Sequence, residues 1–258
     1  MANSELERRF KHAAASVTVL LSFVLLVGCF PRPDSQSSDT TSESISIPTT
    51  TSEPSDIEKS PAVSTSSNQI SPQAQGVSKA VEEISGVVVA SAAKIETSRS
   101  RDWGTWNSLT PSCWSVRDES LRIYELSGSA TDDDCKFTSG DWYDAYSGSV
   151  LTFKSAEEIS DSLQLDHIIP VSYAFRHGAN LWSAIKRSVF YNDINNFIAV
   201  NATDNISKGN SGPSEWMPPN QDYWCTYSHR WVGIAKAWGI SFEREDYDKL
   251  LEILIECP

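Results

Sequence analysis

Hydrophobic and polar residues divide the chain into three regions. Val17 to Val27 is an almost unbroken apolar run, whereas residues 31–71 are mostly Ser, Thr, Pro and isolated acids without an aromatic residue. Such a polar segment cannot bury enough apolar surface to offset the entropy lost on ordering. Beyond residue 100, apolar positions recur at helix and strand spacing, and all nine tryptophans lie there. We therefore predict a disordered stalk over residues 29–76 and a folded domain over residues 77–258.

The second half of the chain mixes strand and helix patterns. Leu163 to Ile169 alternates as a strand does, and Pro170 ends it because proline has no backbone N–H to donate. Phe197 to Val200 is predicted to be a second strand, and Asn201 or Thr203 can cap a short helix after it. This mixture of elements predicts an α+β fold.

Between the two strands, Leu181 to Tyr191 has the apolar spacing of an amphipathic helix. Leu181, Ile185, Val189 and Trp182 fall near one face, and Asn180 is a suitable N-cap. The pattern therefore predicts one continuous helix from Leu181 to Tyr191.

The N-terminal residues have the layout of an export signal. Three basic residues between positions 8 and 11 precede the apolar run, which is too short for a stable membrane span and suits a signal peptide. Leu26 to Cys29 resembles a bacterial lipobox, which implies removal of residues 1–28 and attachment of lipid to Cys29. We therefore expect a lipid anchor on the extracellular face of the cell membrane. The alternatives are an uncleaved anchor, or ordinary secretion with an incidental cysteine.

Cysteine content supports export. With Cys29 assigned to lipid, Cys113, Cys135, Cys225 and Cys257 remain, an even number that suits an oxidising compartment. Three pairings are possible, and we favour Cys113–Cys135 with Cys225–Cys257 because each bridge joins residues within one half of the domain. A zinc site is the alternative, but no CxxC motif or Cys/His pair has the spacing of zinc ligands.

The charge of the chain argues against tight binding of nucleic acid. The formal net charge is −13, and 23 acids against 13 Lys and Arg follow residue 100, a net of −10. Between Leu165 and Ile240, however, five acids stand against six bases. The acids therefore lie mostly in the flanks of the domain. A neutral to basic cleft in an acidic body suits weak, metal-dependent capture of a polyanion.

Asp166, His167 and Asn205 have the side chains that metal-assisted phosphodiester hydrolysis needs. A hard divalent cation prefers oxygen ligands such as a carboxylate and an amide carbonyl. A neutral histidine beside the ion can take a proton from water. Neighbours in a strand point to opposite faces, so Asp166 and His167 share a site only if the strand ends or bends there. Without further residues, a buried structural contact is the better explanation of the pair.

These residues belong to a larger set of motifs. Asp166-His167-Ile168-Ile169-Pro170, Asn195-Asn196-Phe197 and Asn205-Ile206-Ser207-Lys208 together resemble the HNH endonuclease motif. Gly140 to Gly148, Glu215 to Asn220 and Tyr223 to Cys225 resemble features shared by exported HNH proteins of Gram-positive bacteria. The resemblance covers roughly residues 101–258 and includes the four cysteines other than Cys29.

The resemblance implies a ββα-metal fold embedded in a mostly helical, disulfide-braced domain. It makes His167 the general base, and Asp166 and Asn205 the ligands of Mg²⁺, or of Mn²⁺ or Ca²⁺. Asn196 matches the middle asparagine of the motif, which orders the loop around the histidine. Asn205 stands where the last histidine of HNH would be, and this departure favours Mg²⁺ over a softer metal.

The activity implied by the resemblance is cleavage of extracellular DNA, with RNA as a second substrate, by a monomeric enzyme. Lys208, Arg176 and Arg230 are the candidates for holding phosphates, and Lys208 is the strongest because it shares the short helix with Asn205. A non-catalytic surface module that kept the fold is the alternative, favoured by the acidic charge. A third hypothesis is a hydrolase that acts on another phosphodiester, such as a linkage in a cell-wall polymer.

Overall fold

A computed structural model describes residues 72–108 and 113–258. The predicted signal peptide, the predicted lipidation site Cys29 and almost all of the predicted stalk lie outside these residues. The first described helix begins at Pro72, within the segment predicted as stalk. None of the helices in the described ranges combines the length and the apolar character that crossing a membrane requires.

The described residues form a mixed α/β fold. Its helices are α1 (Pro72–Ile84), α2 (Arg99–Asp102), α3 (Val116–Tyr124), α4 (Ala156–Ser162), α5 (Val171–Arg176), α6 (Ala184–Tyr191), α7 (Ala202–Lys208), α8 (Trp224–Trp238) and α9 (Arg244–Glu256). Its strands are β1 (Ala130–Thr131), β2 (Phe137–Asp144), β3 (Ser149–Phe153), β4 (Leu163–His167) and β5 (Phe197–Asn201).

The strands form two small antiparallel sheets. β1, β2 and β3 make a three-stranded sheet with β2 in the middle. In the second sheet β4 pairs with β5, so that Asp166 lies opposite Ile198 and His167 opposite Phe197. α7 follows β5 directly and packs on both strands. The result is a strand–strand–helix unit that carries Asp166, His167 and, on α7, Asn205.

Aromatic side chains fill the core around this unit. Trp142, Tyr146 and Trp231 are fully buried, and β5 is buried along Phe197 to Val200. Burying a large apolar side chain contributes roughly 1.5–3 kcal/mol, and aromatic rings provide the largest areas. The short strands are therefore held in place by the surrounding aromatic core more than by their own length.

Both disulfides favoured by the sequence are present. Cys113–Cys135 joins the segment before α3 to the loop between β1 and β2, with Cα atoms 5.8 Å apart. Cys225–Cys257 joins the first turn of α8 to the residue after α9, with Cα atoms 5.6 Å apart. α9 also packs against α1 and α8. The second bridge thus fixes the end of a helix that already contributes to the core.

The prediction of one helix from Leu181 to Tyr191 is wrong at its start. Residues 179–181 form a 3₁₀ turn, and α6 begins only at Ala184. Ser183 is the N-cap, because its Oγ accepts a hydrogen bond from the backbone N–H of Lys186 at 3.2 Å. A serine cap inside the apolar pattern therefore divides the predicted helix into two pieces.

Most of the apolar face of this segment also points to solvent, although Trp182 is half-buried and packs edge-on against Phe190. Leu181, Ile185 and Val189 are 84%, 78% and 54% exposed. The core instead takes the rings of Phe190 and Tyr191 at the end of α6. Two aromatic rings at the end of the helix therefore take the place in the core that the aliphatic positions were expected to fill.

Candidate active site

The end of β4 delivers Asp166 and His167 to one cleft. The strand stops at His167, and the chain bends over the next two residues before Pro170. Because the strand ends there, the two neighbours are not held to opposite faces of the sheet. Both line a cleft of about 400 Å³, which Asn205 of α7 also lines. The structure therefore brings the three predicted residues together.

His167 has one ring nitrogen engaged and one available. Its Nε2 lies 2.9 Å from the carbonyl oxygen of Tyr191. A carbonyl oxygen can only accept, so Nε2 carries the proton and Nδ1 is the unprotonated nitrogen. Among the described residues, Nδ1 has no hydrogen-bond partner. This tautomer leaves Nδ1 able to take a proton from a molecule in the cleft.

Three aromatic rings hold the imidazole of His167. Trp106 stacks on it with ring centroids 5.6 Å apart and an interplanar angle of 13°, while Tyr191 and Phe197 each lie 5.0 Å away. His167 is only 4% exposed. This burial lowers the pKa of His167 to about 3, although the hydrogen bond to Tyr191 opposes the shift. Burial therefore keeps the imidazole neutral at physiological pH, the form a general base requires, and at the same time makes it a weaker proton acceptor than an exposed histidine.

Two buried donors hold one oxygen of Asp166. The Tyr146 hydroxyl donates to Oδ2 at 2.7 Å, and Lys208 Nζ lies 2.8 Å from the same oxygen. Lys208 Nζ also donates to the carbonyl oxygen of His167 at 2.8 Å, which ties both members of the Asp–His pair to α7. Within the described ranges, Asp166 Oδ1 takes part in no hydrogen bond. That oxygen remains available to a ligand in the cleft.

Burial sets the protonation of these two donors. It raises the pKa of Tyr146 well above its usual value, and the charge of Asp166 acts in the same direction, so the phenol stays a proton donor. Burial lowers the pKa of Lys208, while Asp166 opposes that shift. The positive charge of Lys208 therefore depends on the carboxylate beside it.

Asn205 presents one oxygen to the cleft. Its Nδ2 donates to Gln164 Oε1 at 2.6 Å, which engages the amide nitrogen and leaves Oδ1 as the acceptor. The start of α7 is fixed by Asn201, whose Oδ1 accepts from the backbone N–H of Asp204 at 2.8 Å. Asn201 Nδ2 in turn donates to the buried carboxylate of Asp144 at the end of β2. The three-stranded sheet thus determines where the helix with Asn205 begins.

Asn196 organises the bend behind the cleft. Its side chain is fully buried, accepts from the backbone N–H of Ile169 at 2.8 Å and donates to the carbonyl oxygen of Ile169 at 3.1 Å. Its backbone carbonyl accepts from Ile168 N–H at 2.8 Å. Asn196 is not part of the cleft lining. It is a positioning residue that shapes the chain after His167.

The three cations predicted to hold phosphates lie outside the cleft lining. Lys208 is buried in its ion pair with Asp166. Arg230 donates to two backbone carbonyl oxygens of the 195–197 turn, at 2.8 and 2.7 Å. Arg176 donates at 3.4 Å to the backbone carbonyl oxygen of Asn210, a residue of the cleft lining. Lys208 and Arg230 therefore brace the site from within the protein.

The sequence motifs do not include one wall of the cleft. Arg99, Trp106 and Arg117 line it, although all three precede β4 by several elements. Tyr146 lies within one of the motifs, but its surroundings gave no sign of a contact with Asp166. Such contacts arise from tertiary packing between distant segments, and local patterns carry no signal for them.

The free oxygens of Asp166 and Asn205 form a sparse ligand set. No cluster of three or more His, Cys, Asp or Glu side chains occurs within residues 72–108 and 113–258. Structural or catalytic zinc needs at least three protein ligands, often nitrogen or sulfur. Mg²⁺ keeps several waters and binds through one or two carboxylates together with substrate phosphates. The two oxygens fit Mg²⁺ or a similar hard cation.

Fold and site define a mixed α/β protein with an Asp–His–Asn cleft on a strand–strand–helix unit. A family model for the C-terminal domain of GmrSD restriction endonucleases matches residues 119–253, more than half of the chain. The chain belongs to that family. It is also similar to a protein of Arthroderma benhamiae described as an uncharacterized secreted protein, with 32% identity over 154 residues, 59% of this chain and 72% of that protein. No solved structure matches the chain.

The family match divides the cleft into two parts. Residues 119–253 include Tyr146, Asp166, His167, Asn196, Asn205 and Lys208. Arg99, Trp106 and Arg117 precede the matched range. Family membership therefore concerns the Asp–His–Asn side of the cleft and not the wall formed by these three residues.

Proposed function

We propose that the protein is a metal-dependent endonuclease of the HNH type, which hydrolyses phosphodiester bonds of extracellular DNA and, as a second substrate, RNA. The observation that carries the proposal is one cleft lined by His167, Asp166 and Asn205, whose Nδ1 and two Oδ1 atoms make no hydrogen bond with other described residues. Membership in a family of restriction endonuclease domains supports a nucleic-acid substrate. The β4–β5–α7 unit supports a ββα-metal core.

In this proposal His167 is the general base. Nδ1 takes a proton from a water that attacks phosphorus, while the Nε2–H bond to the carbonyl of Tyr191 stabilises the ring as it becomes charged. The phosphorus–oxygen bond to the leaving sugar oxygen breaks, and that oxygen takes a proton from solvent. Stacking with Trp106 keeps the imidazole oriented, which reduces the entropy lost in reaching the reactive geometry.

Asp166 and Asn205 would hold the metal ion through their free Oδ1 atoms. When bound, Mg²⁺ supplies positive charge that stabilises the phosphate oxygens and the leaving oxygen. Tyr146 and Lys208 keep the carboxylate of Asp166 in place by holding Oδ2. Because Lys208 already neutralises much of that carboxylate, we expect weak metal affinity until a substrate phosphate adds its own charge.

Location outside the cell is part of the proposal. Two disulfides favour an oxidising compartment, and the secreted relative supports export. Lipid on Cys29 would keep the protein at the membrane surface. Labelled fatty acid should enter the wild-type protein and not Cys29→Ser, and equal labelling of both would contradict the lipid anchor.

Plasmid cleavage by the purified protein tests the catalytic proposal. We expect nicking with Mg²⁺ and none with a chelator. His167→Gln should lower the rate at least about 100-fold, since general-base catalysis contributes roughly 10²–10⁴-fold. His229→Gln is the matched control, because His229 pairs with Glu83 of α1 and lies outside the cleft lining.

The outcomes separate the function from the assignment of the base. Wild-type protein that cleaves no nucleic acid with Mg²⁺, Mn²⁺ or Ca²⁺ would refute the nuclease proposal and favour a binding module. Full activity of a folded His167→Gln variant would refute only the role of His167. Thermal melting of each variant shows whether a loss of activity reflects unfolding.

A further inference from the structure

A second cavity adjoins the cleft and shares two of its side chains. Arg99 and Trp106 line both cavities. The second has a volume of about 380 Å³, and its other lining residues are Ser98, Ser100, Gly104, Thr105 and Tyr191. Both volumes lie within the range of roughly 300–1,000 Å³ that is usual for sites of small ligands. Two adjoining cavities of this size suit a ligand made of two linked units.

Arg99 is the cation between the two cavities. Its side chain is exposed and makes no ion pair or hydrogen bond with other described residues. Nearby arginines differ, because Arg101 pairs with Asp102 at 2.8 Å and Arg117 pairs with Asp118 at 3.2 Å. A guanidinium presents several N–H donors in one plane, which matches the oxygens of a phosphate. Arg99 is therefore positioned to bind an anion where the cavities meet.

The backbone of this wall is fixed before any ligand binds. The carboxylate of Asp102 accepts from the backbone N–H of Ser98 at 2.8 Å. Arg187 of α6 donates to the carbonyl oxygen of Asp102 at 2.8 Å, and Asn192 Nδ2 donates to the carbonyl oxygen of Thr105 at 3.2 Å. These bonds tie the wall to α6 and the residue after it. Little ordering entropy is then lost when a ligand enters.

We propose that the second cavity is a nucleotide subsite. It takes the base of an unpaired nucleotide next to the scissile phosphate, and Arg99 binds the phosphate that links this nucleotide to the cleft. The half-buried ring of Trp106 offers aromatic surface to the base, and every base can use such surface. The hydroxyls of Ser98 and Thr105 offer hydrogen bonds to the base or sugar. The identity of this ligand rests on the proposed nuclease function.

Binding measured without cleavage tests the subsite directly. The probe is a fluorescein-labelled single-stranded oligonucleotide, followed by anisotropy in the presence of a chelator. Thr105→Trp fills the cavity from an exposed position and should raise Kd about tenfold, the order expected when base stacking is lost. Arg99→Ala should raise Kd by a similar factor of about tenfold, because it removes a charged phosphate contact.

Two matched variants control for size and charge. Thr131→Trp places the same ring on the exposed strand β1, outside both cavities. Arg101→Ala removes an exposed arginine of the same short helix, also outside both cavities. Both should keep Kd within about twofold of the wild type, as surface substitutions away from a site usually do.

The results distinguish the subsite from the nuclease function. Unchanged Kd for both Thr105→Trp and Arg99→Ala would overturn the subsite, as would failure of the wild type to bind the oligonucleotide. Duplex DNA that competes as well as the single strand would overturn the requirement for an unpaired base. If Thr105→Trp and Arg99→Ala weaken binding as expected but the wild-type protein cleaves no nucleic acid with Mg²⁺, the subsite is supported and the proposed catalysis is refuted.

Discussion

Replacing Lys208 with methionine removes one charge of a buried ion pair and keeps the aliphatic stem. Lys208 Nζ lies 2.8 Å from Asp166 Oδ2, and the two side chains are 0% and 8% exposed. Removing one member of a buried pair costs about 3–5 kcal/mol, because the other charge loses its partner. Since the cleft gives Asp166 some access to water, we expect about 3 kcal/mol. In a domain of this size that loss lowers Tm by roughly 6–12 °C.

Urea unfolding of the metal-free protein, followed by tryptophan fluorescence, measures the loss. Lys249→Met is the matched control, because Lys249 pairs with Glu252 at 3.1 Å but the side chains are 29% and 70% exposed. Such an exposed pair contributes about 0–1 kcal/mol. Mg²⁺ should restore part of the stability of Lys208→Met, since a cation at Asp166 replaces the missing charge. A tenfold excess over Kd adds about 1.4 kcal/mol.

Two results would contradict this reasoning. A loss below about 1 kcal/mol, equal to that of the exposed control, would show that the pair is not held away from water. Stability of Lys208→Met that does not respond to Mg²⁺ would contradict the assignment of Asp166 as a metal ligand. The double variant Asp166→Asn/Lys208→Met should be more stable than Lys208→Met, because it leaves no unpaired buried charge.

Three further changes test other parts of the structure. Asn196→Ala leaves the buried N–H and C=O of Ile169 unpaired and should lower the free energy of unfolding, measured in urea, by about 2–4 kcal/mol. Asn195→Ala is the control, because Asn195 is exposed and its replacement should lower the same quantity by less than about 1 kcal/mol. Burial lowers the pKa of His177, so below about pH 6.5 the unfolded chain binds more protons than the folded protein, and the free energy of unfolding decreases as the pH is lowered. His177→Phe should make this decrease smaller between about pH 7 and pH 5. An unchanged dependence of stability on pH would contradict the prediction. The double variant Cys225→Ser/Cys257→Ser removes a disulfide between residues 32 apart and should lower the free energy of unfolding by about 3–4 kcal/mol. Thermal melting measures this loss, and an unchanged Tm would contradict the prediction.

The strand–strand–helix unit could be predicted largely from the sequence, because its signals are local. Pro170 follows the end of β4, Asn201 caps α7, and Gly209 ends α7 with a φ of 52° that suits glycine. The predicted strands differ from β4 and β5 only at their last residues. The order of these elements allowed Asp166, His167 and Asn205 to meet, and the resemblance of their motifs to one family pattern predicted that they share a cleft.

The supporting residues could not be predicted, because their positions depend on packing between distant segments. As a cation on a short helix, Lys208 suggested a phosphate contact, and only the packing of α7 on β4 reveals that it is buried against Asp166. Arg99 and Trp106 reach the cleft because their segment is tied to α6. Hydrophobic periodicity also predicted the wrong buried face for α6, because the core takes the two aromatic rings at its C-terminal end and leaves the aliphatic side chains exposed.

The charge of the cleft is compatible with the proposed binding of a polyanion by an acidic protein. The chain has a net charge of −13, yet the cleft lining holds Arg99, Arg117 and a single acid, Asp166. Lys208 neutralises that acid from behind. The cleft is therefore locally positive, while the acidic surface around it repels a polyanion only within about one Debye length, roughly 8–10 Å, because salt screens the charges beyond that distance. Short-range contacts must then provide the affinity, without long-range steering.

Few phosphate contacts predict a shallow dependence of binding on salt. For a single strand, each neutralised phosphate contributes about −0.7 to the slope of log Kobs against log salt, so the contact with Arg99, the lining arginine that has no ion pair with a described residue, predicts a slope near −0.7. Screening of the repulsion from the acidic surface makes the slope shallower still. Anisotropy titrations over a KCl series measure it, and Arg99→Ala should reduce its magnitude by about 0.7 while Arg101→Ala leaves it unchanged. A slope steeper than about −4 would require a broad basic surface and would refute binding through this cleft alone.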